Sequence, residues 1–138
     1  MTPAGLSLGF RILGRETRVS GIAPILWDED RKVDIARIAN ATAKLLECDL
    51  ELSPSDILSS DEYIGDRYGV LTQEGRDALK LVAETEGIFL DPVYTSKAMA
   101  GMIDQIRKGI ITKNETVVFI HTGGLPALFA YAEDLMLS

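Results

Sequence analysis

Apolar positions along the chain alternate between helical spacing and short strand-like runs. Leu6, Phe10 and Leu13 recur on one helical face across residues 4–13, with Gly14 as a stop, and predict a first helix. Thr17 to Ile22, bounded by Arg15-Glu16 and Ala23-Pro24, predicts a short strand. The clearest helix spans about 29–47: Ile35, Ile38, Ala39, Thr42, Leu45 and Leu46 share a face, and Glu29, Asp30, Arg31 and Lys32 form a solvated entrance. Residues 48–71 are loose, with Ser53, Pro54, Ser55, Ser59, Ser60, Gly65 and Gly69, and read as a loop with room for one short turn or strand at 56–63. A helix of about 72–86 follows, opened by Thr72, closed by Gly87 and striped by Ala78, Leu79, Val82 and Ala83.

Ile88-Phe89-Leu90 is a brief apolar run stopped by Asp91-Pro92. A helix of about 96–109 then presents Met99, Met102, Ile103 and Ile106. Thr116 to Ile120 is β-branched, aromatic and apolar on both faces, which predicts a central strand. His121-Thr122-Gly123-Gly124 follows, then a last helix from about 125 to 134. Strands alternating with helices predict an α/β fold with a mainly parallel sheet. Two or three strands for five helices are too few for such a sheet, so the chain reads as part of a larger domain.

Composition narrows the class. The 138 residues are 46% hydrophobic and 25% charged, enough to build a core. The net charge of -7, without a cluster of Lys and Arg, argues against a nucleic-acid partner. One cysteine, Cys48, excludes an internal disulfide, and with His121 as the single histidine no Cys/His metal site is expected. Cys48 and His121 read as structural residues. No membrane span or targeting segment is recognised, and a cytoplasmic location is the default expectation.

Three places could carry chemistry. In open α/β sheets, ligands bind beyond the carboxyl ends of strands, where a helix start offers free N–H groups. Phe119 to Gly124 has that form, and reads either as a ligand-contacting turn or as a tight turn needing glycine for its backbone alone. Asp91-Pro92-Val93-Tyr94-Thr95-Ser96-Lys97 gathers a phenol, two hydroxyls and an amine, or else merely caps a helix through Thr95 or Ser96. In the long loop, Tyr63 reads as an aromatic pin, whereas Tyr68 could serve as an acid or base if turned toward the other two junctions. The glycine-rich nucleotide motifs, the nucleophile elbow and the zinc-protease motif do not occur.

The stretch from Glu86 through Asp91-Pro92-Val93-Tyr94-Thr95-Ser96-Lys97 to Gly101, with Val118 through His121-Thr122-Gly123-Gly124-Leu125-Pro126-Ala127 to Tyr131, closely resembles the carboxyl end of the D-cysteine desulfhydrase and 1-aminocyclopropane-1-carboxylate deaminase family. Thr2-Pro3-Ala4-Gly5-Leu6 looks like the end of that family's phosphate-loop segment, and Arg18 to Ile22 like the strand after it. The resemblance implies a pyridoxal 5'-phosphate enzyme of the tryptophan-synthase-β type (fold type II), here as a partial three-layer α/β/α domain spanning 1–138 with its upstream half absent. It implies Tyr94 and Tyr68 as active-site tyrosines, Thr95 and Thr122 at the pyridine ring, Gly123 in the cofactor-contacting turn and Thr2 at the phosphate.

Thr95 falls where the deaminases carry a glutamate facing the pyridine nitrogen and the desulfhydrases a threonine; Thr122 leans the same way, since the deaminases tend to have leucine there. A hydroxyl leaves that nitrogen closer to neutral, compatible with β-elimination of a good leaving group. The expectation is therefore the carboxyl-terminal half of a D-cysteine desulfhydrase-like lyase acting on a small amino acid and inactive alone. The alternatives are a 1-aminocyclopropane-1-carboxylate deaminase-like portion, or a non-catalytic module that pairs with another chain. The family's Schiff-base lysine lies upstream of the position matching Met1, and Lys97 matches a helix position instead. Homo-oligomerisation or pairing with the missing half is the expected assembly.

Overall fold

The computed structural model describes residues 1–28 and 30–136, so Glu29, expected at the entrance of the second helix, lies outside the described residues. The chain divides into two compact units, one of Met1–Gly21 and Trp27–Ser60, the other of Ile22–Leu26 and Asp61–Ser138.

In the first unit, helix α1 (Thr2–Ile12) opens with proline in its first turn, where a missing N–H costs nothing, and ends before Gly14 at φ 61°. Its buried residues are Ala4 and Leu8. This corrects the expected Leu6, Phe10 and Leu13 face: Leu6 and Phe10 are only half-buried, and Leu13 is exposed. Helix α2 (Arg31–Leu45) is capped by Asp30, whose carboxylate accepts from the Lys32 N–H at 2.9 Å. Ile35, Ala36, Ala39 and Ala43 are its buried side chains, and the small alanines let α1 and α2 pack closely. Leu45 and Leu46, expected on this face, are exposed beyond the packed stretch.

The loose segment is organised by one amide. Asn40 donates from Nδ2 to the Leu52 carbonyl at 2.9 Å and accepts from the Leu52 N–H at 2.8 Å, which seats Leu52 and Ile57 in the α1/α2 core. A 3-10 turn at Pro54–Asp56 leads into strand β2 (Leu58–Ser60), inside the 56–63 stretch where a turn or strand was expected. β2 pairs with strand β1 (Ser20–Ile22) in a small parallel sheet, the one sheet among the described residues. The expected strand from Thr17 thus shortens to its last three residues.

In the second unit, helix α3 (Gln73–Glu86) has the predicted ends. Thr72 Oγ1 accepts from the Gly75 N–H at 3.0 Å, and Gly87 closes the helix at φ 65°. Helix α4 (Thr95–Arg107) packs against it, with Ala78, Leu79, Val82, Leu90, Met99 and Ala100 forming the core. Met102 and Ile103 flank that core, while Ile106 is exposed. The expected last helix is broken at Tyr131 into α5 (Ala127–Ala130) and α6 (Ala132–Met136).

Thr116 to Ile120 is the main departure: no strand is paired there, nor at Ile88-Phe89-Leu90. Val117, Val118, Ile120, Ile88 and Phe89 are exposed, Val118 by 75%. A strand exists through its neighbours, and the described residues supply none to this segment. The α/β class stands on the helices, the β1/β2 pair and the structural likeness described below.

Candidate active site

Asp91 organises the entrance of α4. Its carboxylate is fully buried and accepts four hydrogen bonds: the Val93 and Tyr94 N–H groups on Oδ2, both at 2.8 Å, and the Thr95 N–H and hydroxyl on Oδ1, at 2.8 and 2.7 Å. The Thr95 hydroxyl also accepts from the Asp91 N–H at 2.7 Å, and the Asp91 carbonyl from the Ser96 N–H at 3.0 Å. Asp91 rather than Thr95 or Ser96 is therefore the capping side chain, and the amides of Val93, Tyr94 and Thr95, free of any helical partner, have its carboxylate as a charged acceptor. The sequence signal was present: an acid followed by proline, four residues ahead of a threonine, suits a helix entrance.

This closed turn leaves Tyr94 pointing outward, 43% exposed. The Tyr68 and Tyr94 hydroxyls are hydrogen-bonded to each other, and their rings meet edge to face with centroids 6.0 Å apart. Either oxygen can donate. The bond with Tyr68, together with desolvation and the nearby charge of Asp91, raises the Tyr94 pKa above the ordinary phenol value of 10.0, so Tyr94 keeps its proton at neutral pH. Tyr68 has turned toward the α4 junction.

The loop carrying Tyr68 is fastened on both sides. The Tyr63 hydroxyl donates to Asp104 Oδ2 at 2.7 Å, Lys97 Nζ donates to the Ile64 carbonyl at 2.5 Å, and the Tyr131 hydroxyl donates to the Gly69 carbonyl. Tyr63 is the pin that was expected, working through its hydroxyl as well as through its ring, which lies against Gly101. Lys97 is fully buried, and desolvation lowers its pKa below 10.5.

The glycine turn meets the same junction. At Gly124, φ 92°, an added Cβ would lie 2.5 Å from Asp91 Cγ; at Gly123, φ 96°, the same position is open. Gly124 is thus required by contact as well as by backbone, whereas Gly123 presents bare backbone outward. His121 orders the turn, with Nδ1 accepting from the Gly123 N–H at 3.2 Å and Nε2 at 2.9 Å from the Phe89 carbonyl; the neutral imidazole with its proton on Nε2 satisfies both. Thr122 is exposed between them. The second unit therefore brings Tyr68, Tyr94, Thr95 and Gly123 onto connected turns, with Thr122 beside Gly123. Thr2 opens α1 in the first unit and is exposed. Sequence reasoning took Asp91 as a strand stop and as the start of the candidate junction, not as its capping side chain, and did not single out Tyr131.

Among the described residues no cluster of acids, histidine and cysteine could hold a metal ion, and no helix is long and apolar enough to cross a membrane.

Similarity to known proteins places the chain in a family. Residues 1–123 match the family model described as pyridoxal-phosphate dependent enzyme. The chain is similar to the 1-aminocyclopropane-1-carboxylate deaminase of Rhizobium rhizogenes, 40% identical over 131 residues covering 95% of this chain and 39% of the relative. It is 42% identical over 130 residues to the Methylobacterium nodulans protein of the same name, covering 94% of this chain and 39% of that one. A crystal structure of an ACC deaminase homologue superposes with a TM-score of 0.84 at 38% identity, over 98% of this chain and 40% of its own. The chain thus spans about two fifths of the length of the relatives it matches, and on the family match and these identities it belongs to the pyridoxal-phosphate dependent enzymes.

Proposed function

We propose that this chain forms the carboxyl-terminal part of a pyridoxal-phosphate dependent lyase of the 1-aminocyclopropane-1-carboxylate deaminase type, acting on a small amino acid. The observation that carries the reading is the Tyr68–Tyr94 hydroxyl pair, held at the α4 entrance by the Asp91 turn and the fastened loop. When bound, the cofactor supplies the electron sink that makes a substrate carbon acid enough to lose a proton.

The residues present suit a non-covalent edge of the cofactor site. Gly123 offers open backbone, Thr122 a hydroxyl, and the tyrosines two exposed phenols. They do not supply a covalent anchor: the lysine of this turn, Lys97, is buried with its amine on the Ile64 carbonyl. In this reading Tyr94, held protonated, donates a hydrogen bond or a proton to the substrate; where the proton leaves, the Tyr68 hydroxyl passes its own proton to the Tyr94 oxygen through the shared bond and regains one from solvent, to which it is open. Asp91 and Gly124 set the position of both turns.

A second reading, D-cysteine desulfhydrase, is favoured by Thr95. The residue is a threonine where the resemblance gives the deaminases a glutamate; its hydroxyl is buried and committed to Asp91, so it offers a pyridine nitrogen no carboxylate charge. Both readings predict that the chain with pyridoxal phosphate alone releases no keto acid. Co-expression with a lysine-bearing upstream half is expected to restore release from 1-aminocyclopropane-1-carboxylate, from D-cysteine, or from both. Release by the chain alone, or none from a co-purified, cofactor-loaded pair, contradicts the proposal. Such pairing, or homo-oligomerisation, is the assembly this reading carries, in the cytoplasm.

A further inference from the structure

Lys97 is among the largest fully buried side chains of the protein, with none of its surface exposed. Among the described residues it forms no ion pair; its amine donates to one backbone carbonyl, that of Ile64. Burying a lysine amine is costly, and a methionine of similar length would fill the same space without that cost. What a methionine lacks is a donor at the end of its stem. The acceptor lies 33 residues earlier in the chain, on the loop that carries Tyr68 four residues further on.

Two features make this link different from the other fasteners. Lys97 follows Tyr94 by three residues, so its backbone shares the first turn of α4 with the partner of Tyr68. Tyr63 instead reaches the far end of α4 at Asp104, and Tyr131 holds Gly69 from outside that helix. The Lys97 bond therefore fixes the loop against the same turn from which Tyr94 projects.

We propose that Lys97 is a positioning residue that sets the register of the Tyr68 loop on the α4 entrance, so that the two phenol oxygens meet. The inference deepens the active-site reading above and rests on it for the importance of the tyrosine pair, but the contact itself is measurable without catalysis.

The test uses the 138-residue chain with isotope-labelled tyrosine rings, followed by NMR as pH is raised. Tyr63, Tyr68, Tyr94 and Tyr131 give the signals. In the native chain Tyr94 ionises above the ordinary phenol range and shows a ring cross-peak to Tyr68; Asp91, which also faces it, is unchanged in every variant. Tyr68→Phe sets the reference for a broken bond. Lys97→Met is expected to lose the cross-peak and to lower the Tyr94 ionisation midpoint to that of Tyr68→Phe, while the Tyr63 signal stays native. A folded Lys97→Met chain that keeps both the cross-peak and the native midpoint overturns the proposal.

Should Lys97→Met not fold, replacing the Ile64–Gly65 amide by an ester weakens the same acceptor without altering a core side chain. It is expected to shift Tyr94 in the same direction by a smaller amount, and an unchanged Tyr94 there overturns the proposal equally. A broken pair without loss of turnover in the completed enzyme would count against the catalytic reading of the tyrosines and leave the positioning role standing.

Discussion

Gly124 lies directly against the carboxylate of Asp91, so close that a Cβ there would overlap Asp91 Cγ at 2.5 Å. This contact joins the glycine turn to the α4 entrance. Gly124→Ala must both hold a side chain at φ 92° and displace a carboxylate that carries four hydrogen bonds. We expect a loss of about 2–4 kcal/mol in urea unfolding. Gly123→Ala meets no atom and should cost only the backbone strain, about 1–2 kcal/mol.

Removing Asp91 leaves the amides of Val93, Tyr94 and Thr95 without their acceptor. Asp91→Ala should cost about 2–4 kcal/mol and reduce amide protection in the first turn of α4 under hydrogen exchange, while α1 and α2 keep theirs.

Lys97 gives a pH dependence of definite sign. Its folded pKa lies below the unfolded value of 10.5, so between the two the unfolded chain binds more protons and stability rises with pH. Tyr63 and Tyr94, whose folded pKa values are raised above 10.0, pull the other way above that value, and Lys108, raised above 10.5, does so beyond the lysine's window. Taken in a Tyr68→Phe background, where the bond that raises Tyr94 is already gone, the difference between the Lys97 chain and its Lys97→Met variant isolates the lysine: the Lys97 chain should gain on the variant as pH rises toward 10.5. A flat difference would mean that the amine is not desolvated.

The legible parts of the fold are those whose causes are local. Thr72 and Gly87 bound α3 because capping needs only neighbouring residues. Family resemblance singles out Tyr94 and Tyr68 one by one, but that their hydroxyls meet is not legible along the chain, since it depends on fasteners 33 and more residues apart. Lys97 is legible as the amine of the junction and as a helix position, but its burial against the Ile64 carbonyl is not, since that acceptor lies 33 residues away. At Thr116 to Ile120 the pattern was read correctly as apolar on both faces, but such a pattern records the neighbours a segment needs rather than a geometry it adopts alone. Leu6 and Phe10 against Ala4 and Leu8 is a smaller case: with several apolar residues on one short helix, the partner decides which face is buried.

The Asp104–Lys108 ion pair, at 2.7 Å, anchors Tyr63 at the far end of α4. Hydrogen bonding to Lys108 and Tyr63 lowers the Asp104 pKa below 3.8, so whatever the pair contributes is present above that value and is lost as pH falls through the folded one. Both groups are solvent-facing, and 1 M salt should weaken the pair while leaving the buried Asp91 turn intact. Chemical-shift changes on added salt are thus expected at Tyr63 and not at Val93 or Thr95.

The most direct test of the account grafts this chain onto the matched segment of the Rhizobium rhizogenes relative and assays keto acid release from 1-aminocyclopropane-1-carboxylate and D-cysteine. The account predicts turnover of at least one substrate, and a fall of about 100-fold or more in kcat on Tyr94→Phe with cofactor binding retained. A chimera that folds, binds pyridoxal phosphate and turns over neither substrate, or one in which Tyr94→Phe changes nothing, would contradict it.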